Sequence, residues 1–97
     1  MMTHTVLFRF VNPEDAAPAA ELLRSMAGRV EGLMAVRAGT AAPNPDNPDA
    51  FHLVLITEHE DAAGLAAYMA DPAHQEVAVW LGSRVSGRAV ADSLDVS

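Results

Sequence analysis

The chain contains no cysteine, which excludes disulfides and thiol catalysis and agrees with a reducing compartment. Basic residues are scarce as well: six stand against thirteen acids, for a formal net charge of -7. Nucleic acid and anionic lipid are both gripped through Lys/Arg patches, so neither nucleic acid nor a membrane is an expected partner. No apolar run reaches membrane-spanning length, and the opening MMTHTVLFRF lacks the basic segment, apolar core and small-residue cleavage site of an export signal. A cytoplasmic location is the expectation. No glycine pattern of the P-loop or dinucleotide kind occurs, so no cofactor is expected.

What is present has a globular balance, 51% hydrophobic and 20% charged, unlike a disordered chain. Ninety-seven residues make one domain, 1–97, and a chain this short buries a modest share of its surface alone, which favours an oligomer. THTVLFRFV (3–11) is rich in β-branched and aromatic residues and puts His4, Val6, Phe8 and Phe10 on one strand face. Start signals at Asn12 or Asp15 and helical spacing of Leu22, Leu23, Met26 and Val30 predict a helix running to about Gly28. LMAVRAGTA (33–41) alternates as a strand, and APNPDNPDA is a loop whose prolines deny donors to any ladder. Its length suits the border of a ligand site.

FHLVLITEHE (51–60) is a further strand, with His52, Val54 and Ile56 on one face and Phe51, Leu53 and Leu55 on the other. Asp61 caps a helix through AAGLAAYMA; Asp71, with Pro72 at the first position, caps a second. A last strand is expected over 87–96. The order predicts an α+β, ferredoxin-like βαββαβ fold: a four-stranded antiparallel sheet with both helical segments on one face. The strands at 3–11 and 51–60 are apolar on both sides, so the free face needs a cover, and a second copy closing a homodimeric α/β barrel is the simplest.

In the usual strand order of this arrangement, the first and third strands are expected to be parallel central neighbours. That places His4 and His52 together at one end of an apolar wall formed by Val6, Val54 and Ile56, a setting that shifts imidazole pKa values and orients a polar substrate group. His74 falls in the first turn of its helix, where free backbone N–H groups favour neutral imidazole, a base. Tyr68, one turn before the break, can donate a hydrogen bond to a carbonyl oxygen or an enolate if the bend brings its hydroxyl back toward His74. The available metal-ligand types are His4, His52 and one of Glu58, His59 or Glu60, but no HxH or HxxxH spacing prepares a site, and no metal is expected. EHED (58–61) reads as a solvated strand end.

The whole chain resembles the stress-responsive A/B barrel (Dabb) family of ferredoxin-like homodimeric barrels. The resemblance is carried by the opening THTVLFRF, the EGL that follows the first helix, HLVLITEHED and, above all, YMADPAHQEV. The family's plant polyketide cyclase is similar where chemistry is concerned: its catalytic tyrosine and histidine match Tyr68 and His74, and two further pocket histidines match His4 and His52. Asp71 stands where that cyclase has a histidine and the wall residues differ, so its substrate is not carried over.

The resemblance implies a hydrophobic small-molecule ligand held among His4, His52, Val6, Phe8, Val54 and Ile56. It further implies a cofactor-independent cyclisation of a poly-β-keto compound, with His74 and Tyr68 catalytic. Two other readings stand beside it: a stress-associated barrel that holds an apolar ligand without converting it, and a cofactor-free monooxygenase of the antibiotic-biosynthesis type, suggested by shared fold alone.

Overall fold

The computed structural model describes residues 1–95. Strand β1 (Met2–Phe10) buries His4, Val6, Phe8 and Phe10 on one side, as the sequence alternation predicts. A turn of 3-10 helix over Pro13–Asp15 leads into α1 (Ala16–Arg24), whose buried stripe is Ala16, Ala19, Ala20 and Leu23. This helix ends one turn before the predicted Gly28. Past Arg24 the bonds shorten to three-residue steps, Ala27 N–H to the Arg24 carbonyl and Arg29 N–H to the Met26 carbonyl, around Gly28 at φ +74.

Strands β2 (Ala35–Thr40) and β3 (Leu53–His59) are each shorter than their predicted spans. The segment between them carries Pro43, Pro45 and Pro48 and stays out of the sheet. Helix α2 (Ala62–Ala70) starts on the Asp61 carboxylate, which accepts from Gly64 N–H at 2.8 Å; α3 (Pro72–Gly82) starts on Asp71, which accepts from Ala73 N–H at 2.8 Å. The last strand, β4, covers Val85–Leu94. It begins two residues before the predicted 87–96, whose final residue lies outside the described ones.

The sheet order is β2-β3-β1-β4, and every neighbouring pair is antiparallel. The expected parallel pairing of the first and third strands is therefore wrong, for a connectivity reason. Helix α1 returns the chain so that β2 runs parallel to β1; β3 then turns back from β2 and inserts between them, so it opposes both. His4 thus faces Thr57. His52 lies beyond the other end of β3, where its backbone N–H donates to the Phe8 carbonyl at 2.7 Å.

The helices cover the face built from His4, Val6, Phe8 and Phe10 with Leu53, Leu55, Thr57 and His59. The opposite face carries Thr5 paired with Ile56 and Leu7 paired with Val54. Val54 and Ile56 accordingly point away from Val6 and Phe8, since residues of one parity share one face.

Candidate active site

Between the helix-covered face of β1 and β4 on one side and α2 and α3 on the other lies a cavity of about 680 Å³. Val6, Phe8, Leu55, Val77, Leu81 and Val90 give it apolar walls, and His4, Tyr68, His74 and Asp92 gather at one end. Its size and its few convergent polar groups are those of a small-molecule site.

The polar end is made by a break in the helix. Asp71 takes extended backbone angles (φ -63, ψ 133), so α2 stops and α3 restarts in a new direction. Pro72 suits that restart because a first-turn residue has no intrahelical use for its N–H. The bend folds His74 onto Tyr68, with ring centroids 4.4 Å apart. Asp71 also ties the junction to the rest of the fold: its second oxygen accepts from Glu31 N–H at 3.0 Å. The Glu31 and Ala73 N–H groups hold the Asp71 carboxyl below the usual carboxylate range.

Tyr68 is 1% exposed, and burial pushes its phenol up to about 12. It is protonated at every physiological pH, so its hydroxyl is available as a hydrogen-bond donor. His74 is pulled below the ordinary imidazole value, chiefly by burial and further by His4; the Met69 carbonyl and the Asp71 carboxylate oppose this in part. The Met69 carbonyl already accepts from Gln75 Nε2 at 2.7 Å, and His74 Nδ1 is buried without a hydrogen-bond partner among the described residues. A neutral imidazole beside a protonated phenol is an acid–base pair.

His4 sits 6.1 Å from Tyr68 between ring centroids, and its Nδ1 pairs with the carboxylate of Asp92, its cross-strand partner on β4, at 2.5 Å. With Nδ1 engaged there, Nε2 is the ring nitrogen left for a contact inside the cavity. His52 does not join this group. It lies about 16 Å away along β1, where its Nδ1 accepts from Phe10 N–H at 2.9 Å and its ring stacks on that of Phe10.

The histidine that takes the place expected for His52 is His59. Far from being a solvated strand end, it is fully buried, donating from Nδ1 to the Gly32 carbonyl at 2.6 Å, with Nε2 2.8 Å from the Thr57 hydroxyl. Its ring packs behind Tyr68 at 4.8 Å and 6.4 Å from His4. Gly32 makes this possible: it adopts φ +78, and a Cβ there would lie 2.1 Å from the Gly64 carbonyl oxygen of α2. The signal was present in the alternation of Leu53, Leu55, Thr57 and His59. Of the sequence-selected residues, then, His4, Val6, Phe8, Tyr68 and His74 line one cavity, whereas His52, Val54 and Ile56 do not. Among the described residues no three His, Cys, Asp or Glu side chains come together to hold a metal ion.

The family model for the stress responsive A/B barrel domain matches residues 2–95. No curated protein matches the chain. Among solved structures, an Arabidopsis thaliana protein is 21% identical with TM-score 0.82, covering 100% of this chain and 97% of its own. A dimeric ferredoxin-like protein of unknown function from Jannaschia sp. is 24% identical, with TM-score 0.77 and 98% of each chain covered. A hydroxynitrile lyase from Passiflora edulis is 12% identical, with TM-score 0.79, 99% of this chain and 95% of its own covered. At such identities the likeness is one of fold.

Proposed function

The chain belongs to the stress responsive A/B barrel (Dabb) family, and on that premise we propose that it is a homodimeric barrel whose protomers each bind a hydrophobic carbonyl compound and act on it by proton transfer without a cofactor. The observation that carries this reading is the convergence of Tyr68 and His74 at the polar end of an apolar cavity. In the reaction, neutral His74 removes a proton α to a carbonyl while the Tyr68 hydroxyl hydrogen-bonds the carbonyl oxygen and stabilises the enolate. The enolate carbon then attacks a second carbonyl of the same molecule, closing a ring, and the imidazolium returns its proton to the new alkoxide. Atoms and charge balance with no added reagent, and loss of water from the resulting β-hydroxy carbonyl completes an intramolecular aldol condensation of a poly-β-keto chain. An aldol route through a lysine Schiff base is closed to this protein because it has no lysine. His4, oriented by Asp92, is a second polar contact for the substrate, and Val6 and Phe8 are wall contacts.

The test uses the intact protein, with native mass spectrometry after gentle purification to identify any retained small molecule and turnover assays on that compound. His74→Ala is expected to lower kcat by at least about a hundredfold, the usual worth of a general base, while leaving the thermal midpoint nearly unchanged. The wild-type rate should rise through a pKa below the usual imidazole value, because only the neutral ring accepts the proton. A retained compound that is never converted would make the barrel a ligand carrier, and equal loss of rate and stability in His74→Ala would make His74 structural.

A further inference from the structure

The charged groups of the cavity are unevenly matched. Asp92 is taken by His4, its direct neighbour across the β1–β4 ladder. Arg88, four residues earlier on β4, lies opposite Phe8 and has the same parity as Val90 and Asp92, so its side chain starts from the cavity face, and it lines the cavity. The ion pairs among the described residues join the amino terminus to Asp95 and His4 to Asp92, and neither involves Arg88. Among the other arginines, Arg9 donates to the Asp49 carbonyl and lies over Phe51, Arg24 donates to the Ala38 carbonyl, and Arg84 donates to the Trp80 carbonyl and lies over its ring; Arg29 and Arg37 have no such side-chain partner among the described residues, but of the six only Arg88 lines this cavity. Arg88 is exposed and has no carboxylate partner among the described residues, so its guanidinium stands at the open side of the apolar cavity, accessible to a ligand anion.

We propose that Arg88 is an anion clamp that selects the ligand's chemical class: an amphipathic oxo acid, with a carboxylate held at Arg88 and a carbonyl presented to Tyr68 and His74. The apolar chain between them would lie along Val6, Phe8 and Val90. Four residues of strand separate Arg88 from Asp92, about 13 Å, which sets the spacing between the two polar groups of the ligand. Arginine suits the task because its planar fork meets a carboxylate with two parallel hydrogen bonds. Because Arg88 is exposed, the attraction is open to screening by salt. The clamp also gives the acidic protein, which repels anions at long range, a local means of admitting one. This inference rests on the cavity being the binding site.

Isothermal titration of wild type, Arg88→Gln and Arg88→Lys with octanoate and its neutral isostere octanamide tests it. Wild type should bind octanoate about tenfold tighter than octanamide, a difference that shrinks with added salt. In Arg88→Gln the two affinities should fall within about twofold of each other, and Arg88→Lys should restore part of the preference, since a point charge keeps the attraction but loses the fork. A preference that persists in Arg88→Gln would place the anion at the histidine end and overturn the clamp; equal binding of both probes by wild type would overturn it while leaving the cavity as a binding site. Failure of both probes to bind would instead count against the cavity itself, and the clamp would fall with it.

Discussion

A phenol and an imidazole packed against each other, their rings tilted by 54°, have complementary fates on burial: the tyrosine keeps its proton and the histidine loses it more readily. Tyr68 is the only tyrosine in the chain, so its ionisation can be followed alone by ultraviolet difference absorption. The folded protein is expected to titrate at about 12, against the ordinary value of 10.0 in the unfolded chain. A pKa raised by folding means that the neutral phenol stabilises the native state. That contribution is complete below pH 10 and is lost as the pH rises through about 12. Titration at the ordinary value in the folded protein would mean that the hydroxyl is open to water. For His74 the direction is opposite: its folded pKa is lowered, so its contribution is complete above the ordinary imidazole value and is lost as the pH falls through the folded value. His4 and His59 were both visible as residues, yet their partners were not. Asp92 is 88 positions from His4 and Gly32 is 27 from His59, and separations of that kind are set by strand register and loop closure, not by local spacing.

At the scale of elements, the site depends on two junctions. One is the break at Asp71-Pro72, whose capping chemistry was readable directly, because an aspartate before a proline at a helix start satisfies exposed N–H groups by local rules. The other is the turn at Gly32, which the quoted EGL hinted at without explaining. Its requirement for glycine comes from α2: a methyl group would collide with the Gly64 carbonyl, and the left-handed backbone penalises any side chain besides. Gly32→Ala is expected to cost at least about 1–2 kcal/mol from the backbone conformation alone, with the collision adding to it, measured as a lower urea midpoint at unchanged slope. It should also loosen His59 behind Tyr68 and so weaken ligand binding at temperatures where the protein remains folded. Unchanged stability would show that α2 gives way at little cost.

For the whole molecule the consequential feature is the second face of the sheet. Leu7, Val54 and Ile56 stand on it, each half-buried in a single chain. The dimeric ferredoxin-like relatives and the family membership support the reading that a second copy covers this face, a self-complementary patch as two-fold symmetry requires. Placing a carboxylate there should expose the arrangement: Ile56→Asp and Leu7→Asp are expected to shift the sedimenting species from dimer to monomer, because an unpaired charge is not tolerated in a buried apolar interface. If both variants sediment as wild type does, the sheet faces do not form the contact. This assignment also gives Val54 and Ile56 a place: they belong to the interface proposed here and not to the ligand cavity.

Composition, alternation and capping signals determined by themselves that this chain makes a βαββαβ domain with a helix break at Asp71-Pro72, a strand face carrying His4, Val6 and Phe8, and Tyr68 and His74 on either side of the break. Those are local properties, since strand parity, helix period and N-cap chemistry act over a few residues and survive any tertiary arrangement. Which histidines share an end of the sheet was decided only by the tertiary structure. A strand's direction depends on how the whole chain winds, and reversing β3 relative to the expectation exchanges its two ends, taking His52 about 16 Å from His4 and bringing His59 to Tyr68. The cavity, the pairing of His4 with Asp92 and the placing of Arg88 on the cavity face arise in the same way, from β4 pairing with β1 across nearly the whole length of the chain.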